Sequence, residues 1–439
     1  MLGAYRRQIR KRFPGLANGL SSVPDHRKRR EYSMGELLTG GLGMFLLRQD
    51  SRNGINNKRR EAGFAKSFEQ CFGARLAHGD TIAEVLEHTD PEGPESVKMD
   101  LMSGLFGQKV LRGDRLCGKY YPVAVDATGV VSFDHRHCPH CLTRTSKNGA
   151  TTYFHYVLEA KLVTRDGLCL SLASEWIENP AGEFDKQDCE RKAFTRLAAK
   201  LKRNYPRLPV CILADGLYPY GGAFETCEGY GWKYIFVLKD STLKSVQEDL
   251  VLPRRRDPKK SGYHVRDGWR VACEYRFENG LEYKKSKISW IECGETRTRD
   301  MPREKRPEKQ KDGETHRFVY VTNFEVDRDN VMELSAGGRL RWKIENEGFN
   351  TQKRGGYQLG HKFCRTSLNG LKNYYTLLQM AHAINQFVER DGEVREQLSC
   401  HSKETVKNIW GMLVSYMIFA RDPEDLPDGN VGRIQPAPA

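Results

Sequence analysis

Two apolar segments of the 439-residue chain each end in an aspartate: VAVD at residues 123–126 and CILAD at residues 211–215. If the two segments form neighbouring parallel strands, both carboxylates emerge at one edge of the sheet, where open α/β sheets build their sites. For either aspartate alone, a role in starting a turn is the stronger interpretation. The pair predicts a site only if a further acid joins it.

Glu345 is the candidate for that further acid. It belongs to the segment LRWKIENEGFNTQKRGGY, residues 340–357, which we interpret as a helix. At roughly 100° per residue, Glu345 falls among the large apolar residues and is predicted to point toward the core or a cleft. A carboxylate placed there must be paired, protonated or bound to metal. A structural pair with Arg341, four residues earlier, and a metal-binding role both remain open.

The same segment contains a second glutamate, Glu347, on the opposite side of the predicted helix. It lies one turn from Lys343, and a pair at this spacing is ordinary on a helix surface. We therefore expect Glu347 to be a solvated charge with no part in chemistry.

Asp126, Asp215 and Glu345 together suggest a metal centre. Clustered carboxylates repel one another unless cations intervene, and oxygen ligands favour Mg²⁺ or Mn²⁺. Two such ions, about 3.5–4 Å apart, can clamp the attacking and leaving oxygens of a phosphoryl displacement. The three acids are the predicted catalytic residues and metal ligands.

The charge of the chain indicates a polyanionic partner. The net charge is +14, and residues 1–60 hold fourteen Lys and Arg against four Asp and Glu, a net charge of +10. We favour nucleic acid over a solubilising arm, because apolar residues interleave with the charges and let the segment fold. The run Arg27, Lys28, Arg29 and Arg30 is predicted to bind DNA. Lys239, at the end of YIFVLK, is predicted to lie at the sheet edge, as a DNA contact or a solvated lysine.

The elements that must position these residues form an α/β protein. Helices dominate the first 115 residues, strands follow from about residue 120, and apolar helices are predicted at 369–390 and 405–420. The predicted units are a helical basic DNA-binding region (1–115), the first part of the core (116–240), a charged β-rich insertion (241–316), the second part of the core with the glutamate helix (317–365), and C-terminal helices with a loose tail (366–439).

Several segments together resemble the DDE transposases of bacterial insertion sequences, which have an RNase H-like fold. The residues RWKIENEGFNTQKRGGY resemble the W-x-I-E signature around the glutamate of that family. The resemblance covers roughly residues 120–390, and the N-terminal segment PDHRKRREYSMGELLTGGLGMFLLRQDS is similar to the family's end-binding region. Its other segments are VAVDATGVVSF, CPHCLTRTSKNGATTYFHYVLEAKLV, KQDCERKAFTRL and ILADGLY.

The resemblance implies roles for individual residues. Asp126 and Asp215 would hold two metal ions, Glu345 would complete the shell of the second ion, and Arg341 and Lys353 would contact phosphate. Gly338 and Gln352 depart from the tyrosine and lysine often found near the glutamate, and Lys353 is the substitute for that lysine.

The implied reaction cuts DNA at the element's terminal inverted repeats with water, and the freed 3′-OH then attacks target DNA. Pairing two ends implies a homodimer on DNA. Two alternatives stay open: an RNase H-like nuclease without strand transfer, and a transposase-derived DNA-binding protein that has lost catalysis.

A separate metal hypothesis concerns Cys138 and Cys141, a C-x-x-C pair with His135, His137 and His140 close by. This is half of a zinc signature, and the second C-x-x-C is missing. Two interpretations remain open: a local zinc site with two cysteine and two histidine ligands, and a hairpin with reduced cysteines between the first two strands. We interpret His155, in YFHYV, as a histidine of the sheet in preference to a metal ligand.

No apolar run is long enough to span a bilayer, since LLTGGLGMFLL is short and broken by glycines. We expect a cytoplasmic bacterial protein that associates with the nucleoid when bound to DNA and has no membrane partner.

Overall fold

Ten strands form one mixed sheet, and helices lie at both ends of the chain, so the fold is mixed α/β. The computed structural model describes residues 2–179, 188–266, 269–299, 313–400 and 406–419. The strands are β1 Tyr121–Phe133, β2 Leu142–Thr145, β3 Thr151–Val163, β4 Cys169–Ile177, β5 Val210–Ala214, β6 Lys233–Val237, β7 Lys260–Arg266, β8 Trp269–Tyr283, β9 Ser286–Arg299 and β10 Glu314–Thr322.

Sixteen α-helices are described, with a 3₁₀ turn at Arg112–Asp114 and a π-helical segment at Ile344–Asn350. The helices are α1 Leu2–Arg12, α2 Leu16–Ser22, α3 Met34–Leu46, α4 Arg52–Arg59, α5 Ala62–Phe72, α6 Gly79–His88, α7 Glu92–Gly107, α8 Glu190–Asn204, α9 Gly221–Gly229, α10 Lys244–Asp249, α11 Val251–Arg255, α12 Val331–Arg339, α13 Thr351–Arg354, α14 Leu368–Glu389, α15 Gly392–Cys400 and α16 Val406–Phe419.

The strand order is β2-β3-β1-β5-β6-β10-β9-β8-β7, with β4 also paired to β3. β1 runs antiparallel to β3 and parallel to β5, and β5 runs parallel to β6. The first half of β1 and all of β5 are buried on both faces. That is why their sequences are continuous apolar runs, as in parallel strands covered on both sides.

The strands of the predicted insertion extend this sheet. β10 pairs with β6 on one side and β9 on the other, and β8 and β7 follow outward. The sheet therefore crosses the predicted boundaries at residues 240 and 316. β8 alternates buried and exposed residues, the pattern of an antiparallel strand with one solvated face. β7 was not predicted, and the charged stretch at residues 300–312 lies outside the described residues.

Helices from both ends of the chain pack together. The C-terminal α14 contacts α3, α6 and α7 of the N-terminal region, and it also contacts β4. Ser33 and Glu36 form a capping box at the start of α3. Gly43 of α3 permits a close approach, because a Cβ there would stand 2.5 Å from the Phe68 ring. None of the described helices is both long and apolar enough to cross a membrane.

Two sequence predictions about local structure are wrong. β1 does not end at Asp126 but continues to Phe133, because β3 pairs with it along this whole length. The sequence DPEGPESV at residues 90–97 predicts a Pro/Gly linker, but α7 begins at Glu92 and accommodates Pro94 in its first turn, where a proline costs no hydrogen bond. The predicted loose tail lies outside the described residues.

Buried charges join the sheet to the helices around it. Glu159 on β3 is fully buried and accepts hydrogen bonds from the hydroxyls of Ser171 (2.7 Å) and Ser174. Lys98 of α7, also fully buried, donates to the same two hydroxyls at 3.0 and 2.7 Å. The network satisfies charges that would otherwise be costly to bury.

Lys161 extends this network toward the glutamate segment. Its Nζ lies 3.8 Å from Glu159 Oε2 and donates to Gln379 of α14 at 2.5 Å. Gln379 Oε1 also accepts from Gln352 of α13 at 2.8 Å. One set of hydrogen bonds therefore joins β3 of the sheet to α14 and to α13, the helix that follows Glu345.

We predict that Glu159→Ala lowers the free energy of unfolding by about 3–5 kcal/mol, because it leaves a buried lysine without its counter-charge. Urea unfolding of the full chain measures this loss. Glu225→Ala, on the exposed side of α9, should stay within about 0.5 kcal/mol of the wild type. Equal losses in the two variants would contradict the assigned role of Glu159.

Candidate active site

The register of two parallel strands brings Asp126 and Asp215 together. β1 and β5 pair with Val123 opposite Ile212 and Ala124 opposite Leu213. Two residues further along, the same register places Asp126 level with Asp215. Neighbouring strands are about 4.8 Å apart, so the two carboxylates share one edge of the sheet. The pairing of strands expected from the sequence is present.

The two aspartates are held in the same way. Asp126 Oδ1 accepts a hydrogen bond from the Ala127 amide at 2.9 Å, and Asp215 Oδ1 accepts from the Leu217 amide at 2.8 Å.

The other oxygen of each aspartate faces a basic side chain. Asp126 Oδ2 lies 3.7 Å from Arg341 Nη1, and Asp215 Oδ2 lies 3.6 Å from Lys239 Nζ. Each carboxylate is therefore oriented by the backbone and offers one oxygen to a cation.

Glu345 reaches the same place from the π-helical segment. Its Oε1 accepts a hydrogen bond from Arg341 Nη1 at 2.8 Å, so Arg341 lies between Glu345 and Asp126. The Arg341–Glu345 pair predicted as one alternative is thus formed, and it adjoins an aspartate. Pairing and metal binding do not exclude each other here, because a cation can replace the guanidinium.

The predicted exposures of the two glutamates are wrong. Glu345 is the more exposed, at 48% of its side chain, whereas Glu347 is at 36% and has one buried oxygen without a hydrogen-bond partner. Residues 344–350 form π-type turns, which are wider than α-turns, so a helical wheel at about 100° per residue misplaces them. The predicted pair of Glu347 with Lys343 is present at 2.8 Å.

The electrostatics of Asp126 reflect these neighbours. Burial, followed by repulsion from Glu345, raises the pKa of Asp126 to about 7, although Arg341 opposes the shift. Clustered carboxylates in a partly dry site favour either a shared proton or a bound cation.

A fourth acid, Glu190, was not identified from the sequence. It begins α8 and accepts a hydrogen bond from the Tyr218 hydroxyl at 2.7 Å. Burial and the charge of Asp215 raise its pKa, and its own charge contributes to the raised pKa of Asp126. The only sequence signal was an acid in the first turn of a helix, which is commonplace.

The donor set suits hard divalent cations, since all four acids offer oxygen ligands. Among the described residues, the carboxylate oxygens of Asp126, Asp215 and Glu345 do not form a group within 4.8 Å of one another. One ion would require a tighter group. Two ions about 3.5–4 Å apart are the other arrangement open to carboxylate ligands.

The predicted DNA-binding residues are not all at this site. Lys239 and Arg341 adjoin the carboxylates, whereas Lys353 is an exposed residue of α13. Arg27, Lys28, Arg29 and Arg30 occupy the loop between α2 and α3, where Arg27 and Arg30 both pair with Asp25. Across the described part of the chain, no hydrogen bond or ion pair joins that loop or Lys353 to the three acids.

A second candidate metal site lies beyond the end of β1. Cys138 and Cys141 are joined by His137 and by His155 of β3, with ligand atoms all within 4.8 Å of one another. His155 was predicted to be a sheet histidine and not a ligand, but it lies in this group. His135 and His140 point elsewhere, to Asp134 and to the backbone of Asn179.

In the comparisons with known proteins, no protein-family model matches the chain and no curated protein matches it significantly.

We predict that Asp126→Asn stabilises the metal-free protein above neutral pH. Between about pH 4 and 7 the unfolded chain loses a proton that folded Asp126 retains, so this residue destabilises the fold increasingly as pH rises to 7. In EDTA, the melting temperature of the variant should exceed that of the wild type at pH 8, and the difference should shrink toward pH 5. Glu225→Gln is the matched control, and a difference that does not vary with pH would contradict the prediction.

Proposed function

We propose that this protein is an insertion-sequence transposase of the DDE type, with an RNase H-like core. It cuts the ends of its element and joins each 3′-OH to target DNA. The observation that carries this proposal is the convergence of Asp126, Asp215 and Glu345 at one sheet edge, with a basic side chain beside each aspartate.

The order of elements supports the fold assignment. If the four-residue β2 is set aside, Asp126 lies on the first strand and Asp215 directly follows the fourth, β5. Glu345 comes later, on a helical segment, after three additional strands between β6 and β10. This is the order of acids, and the position of the insertion, that the resemblance of the sequence implies.

Asp126, Asp215 and Glu345 would hold the cations, with Glu190 near enough to influence the charge of the centre. When bound, two Mg²⁺ or Mn²⁺ ions supply a nucleophilic oxygen at neutral pH and stabilise the charge that develops on the phosphoryl group. Asp126 would hold its ion as the carboxylate. Ala127 and Leu217 keep the aspartates in position through their amides.

Arg341 and Lys239 lie within 4 Å of Asp126 and Asp215. With bound cations neutralising the carboxylates, both side chains would be available to bind phosphate. Arg341 presents a planar fork that suits a phosphate oxygen pair, and Lys239 acts as a point charge. The two bases would therefore pair with the acids in the metal-free protein and with phosphate in the complex.

DNA is the partner that the charge of the chain supports. The net charge is +14, and the loop holding Lys28 and Arg29 presents both side chains to solvent. Contacts of this kind bind phosphates without reading sequence, and they weaken as salt rises. Two element ends must be held together for joining, so we propose a homodimer on DNA that acts in the bacterial cytoplasm.

The experiment follows labelled DNA that carries the inverted repeats flanking the gene, incubated with Mg²⁺ and a target plasmid. The wild type should release the ends and join them to the plasmid. Asp126→Asn, Asp215→Asn and Glu345→Gln should each reduce cleavage by more than about 100-fold, beyond the loss typical of residues that only support a metal ligand.

Glu347→Gln is the matched control, because Glu347 lies two residues from Glu345 and pairs with Lys343 instead of Arg341. It should retain cleavage within a few-fold of the wild type. Cleavage without joined product would favour a nuclease of the same fold. Tight binding to the ends with no cleavage in Mg²⁺ or Mn²⁺ would instead favour a DNA-binding protein without catalysis.

A further inference from the structure

The loop between β1 and β2 brings four metal-binding side chains together. It runs from Asp134 to Cys141 and carries His137, Cys138 and Cys141, and His155 on β3 faces it. All four offer a ligand atom within 4.8 Å of the others, and Cys141 and His155 are fully buried. None of these side chains takes part in the carboxylate site.

The distances match those of a tetrahedral zinc ion. With Zn–S near 2.3 Å and Zn–N near 2.0–2.1 Å, tetrahedral angles put two sulfurs about 3.8 Å apart and a sulfur and a nitrogen about 3.6 Å apart. Cys138 Sγ and Cys141 Sγ are 3.8 Å apart, and His155 Nε2 lies 3.4 Å from each. The sulfurs are too far apart for a disulfide, which needs about 2.05 Å.

The surroundings are already arranged to hold a metal. The Cys138 amide donates a hydrogen bond to Cys141 Sγ at 3.4 Å, which fixes the positions of the two cysteines relative to each other. Asn179, beyond β4, donates to the Cys141 carbonyl at 3.0 Å and fixes the loop from outside. Within the described residues, the His155 ring has no hydrogen-bond partner except the two sulfurs. A fully buried imidazole with only weak sulfur partners is costly unless it has a ligand.

We propose that His137, Cys138, Cys141 and His155 bind one structural Zn²⁺. Two thiolates and two imidazoles in a tetrahedral arrangement favour zinc over the hard cations of the carboxylate site. Four protein ligands leave no open position, so the ion has a structural role and no catalytic one. It fixes the loop after β1 onto β3, at the end of the strand that carries Asp126.

A second thiol group is a weaker candidate. Cys273, Cys293 and Glu295 also lie within 4.8 Å of one another, but they offer three ligands only. Glu295 already pairs with Arg339. Any zinc that Cys138→Ser retains would be expected in this group.

The test measures metal in the full chain, purified under reducing conditions without chelator and without DNA. Elemental analysis should find about one zinc per chain in the wild type and less than about 0.2 in Cys138→Ser and Cys141→Ser, because losing a thiolate removes a ligand. Cys189→Ser, an exposed cysteine outside the group, and His135→Gln, in the same loop, should keep about one.

Cobalt replacement provides a second readout. The wild type should show sulfur-to-cobalt charge transfer and the intense bands of tetrahedral Co²⁺, and Cys138→Ser should lose them. Zinc removal should lower the melting temperature and make Cys138 reactive toward thiol reagents. Since these measurements need neither Mg²⁺ nor cleavage, they stand or fall independently of the transposase proposal.

Three results would overturn the zinc site. One is a wild-type chain without zinc whose Cys138 and Cys141 react freely after purification. Another is a Cys138–Cys141 disulfide that persists in reducing buffer. The third is zinc that remains in Cys138→Ser and is lost in Cys293→Ser, which would place the ion in the second thiol group.

Discussion

The parallel pairing of β1 with β5 is the constraint on which the candidate active site depends. A slip of one residue would send one aspartate to the opposite face of the sheet, while the other remained. The apolar runs that fix this register are buried on both faces and leave no exposed side to accommodate a slip. The hydrophobic core of the sheet therefore sets the spacing of two charged groups at its edge.

The placement of Asp126 and Asp215 at one sheet edge could be predicted from the sequence, because strands buried on both faces have continuous apolar sequences and an acid that ends such a run is conspicuous. The burial of Glu345 and Glu347 could not be predicted, because no local sequence signal indicates a π-helix. Glu190 was not identified, and the contact of His155 with the two cysteines was not predicted, for another reason. Their roles come from residues 28 and 14 positions away in the chain, and only the folded sheet brings these partners together.

The buried charges of the core and the acids at the sheet edge have different kinds of partner. Around Glu159 and Lys161, buried charges are satisfied by fixed hydrogen bonds from hydroxyl and amide side chains, and the network is closed. At the sheet edge, the acids face Arg341, which is largely buried, and Lys239, which is exposed. Lys161 and Gln379 connect the two regions, since they support the helix that follows Glu345.

The packing of α14 against α3, α6 and α7 has a consequence for synthesis of the chain. About 260 residues separate the end of α7 at Gly107 from the start of α14 at Leu368. At about 5–20 residues per second, the N-terminal helices wait roughly 15–50 s on the ribosome before their partner emerges. Their apolar faces stay uncovered during that time. A message cut short before residue 368 would yield helices that can never complete this layer.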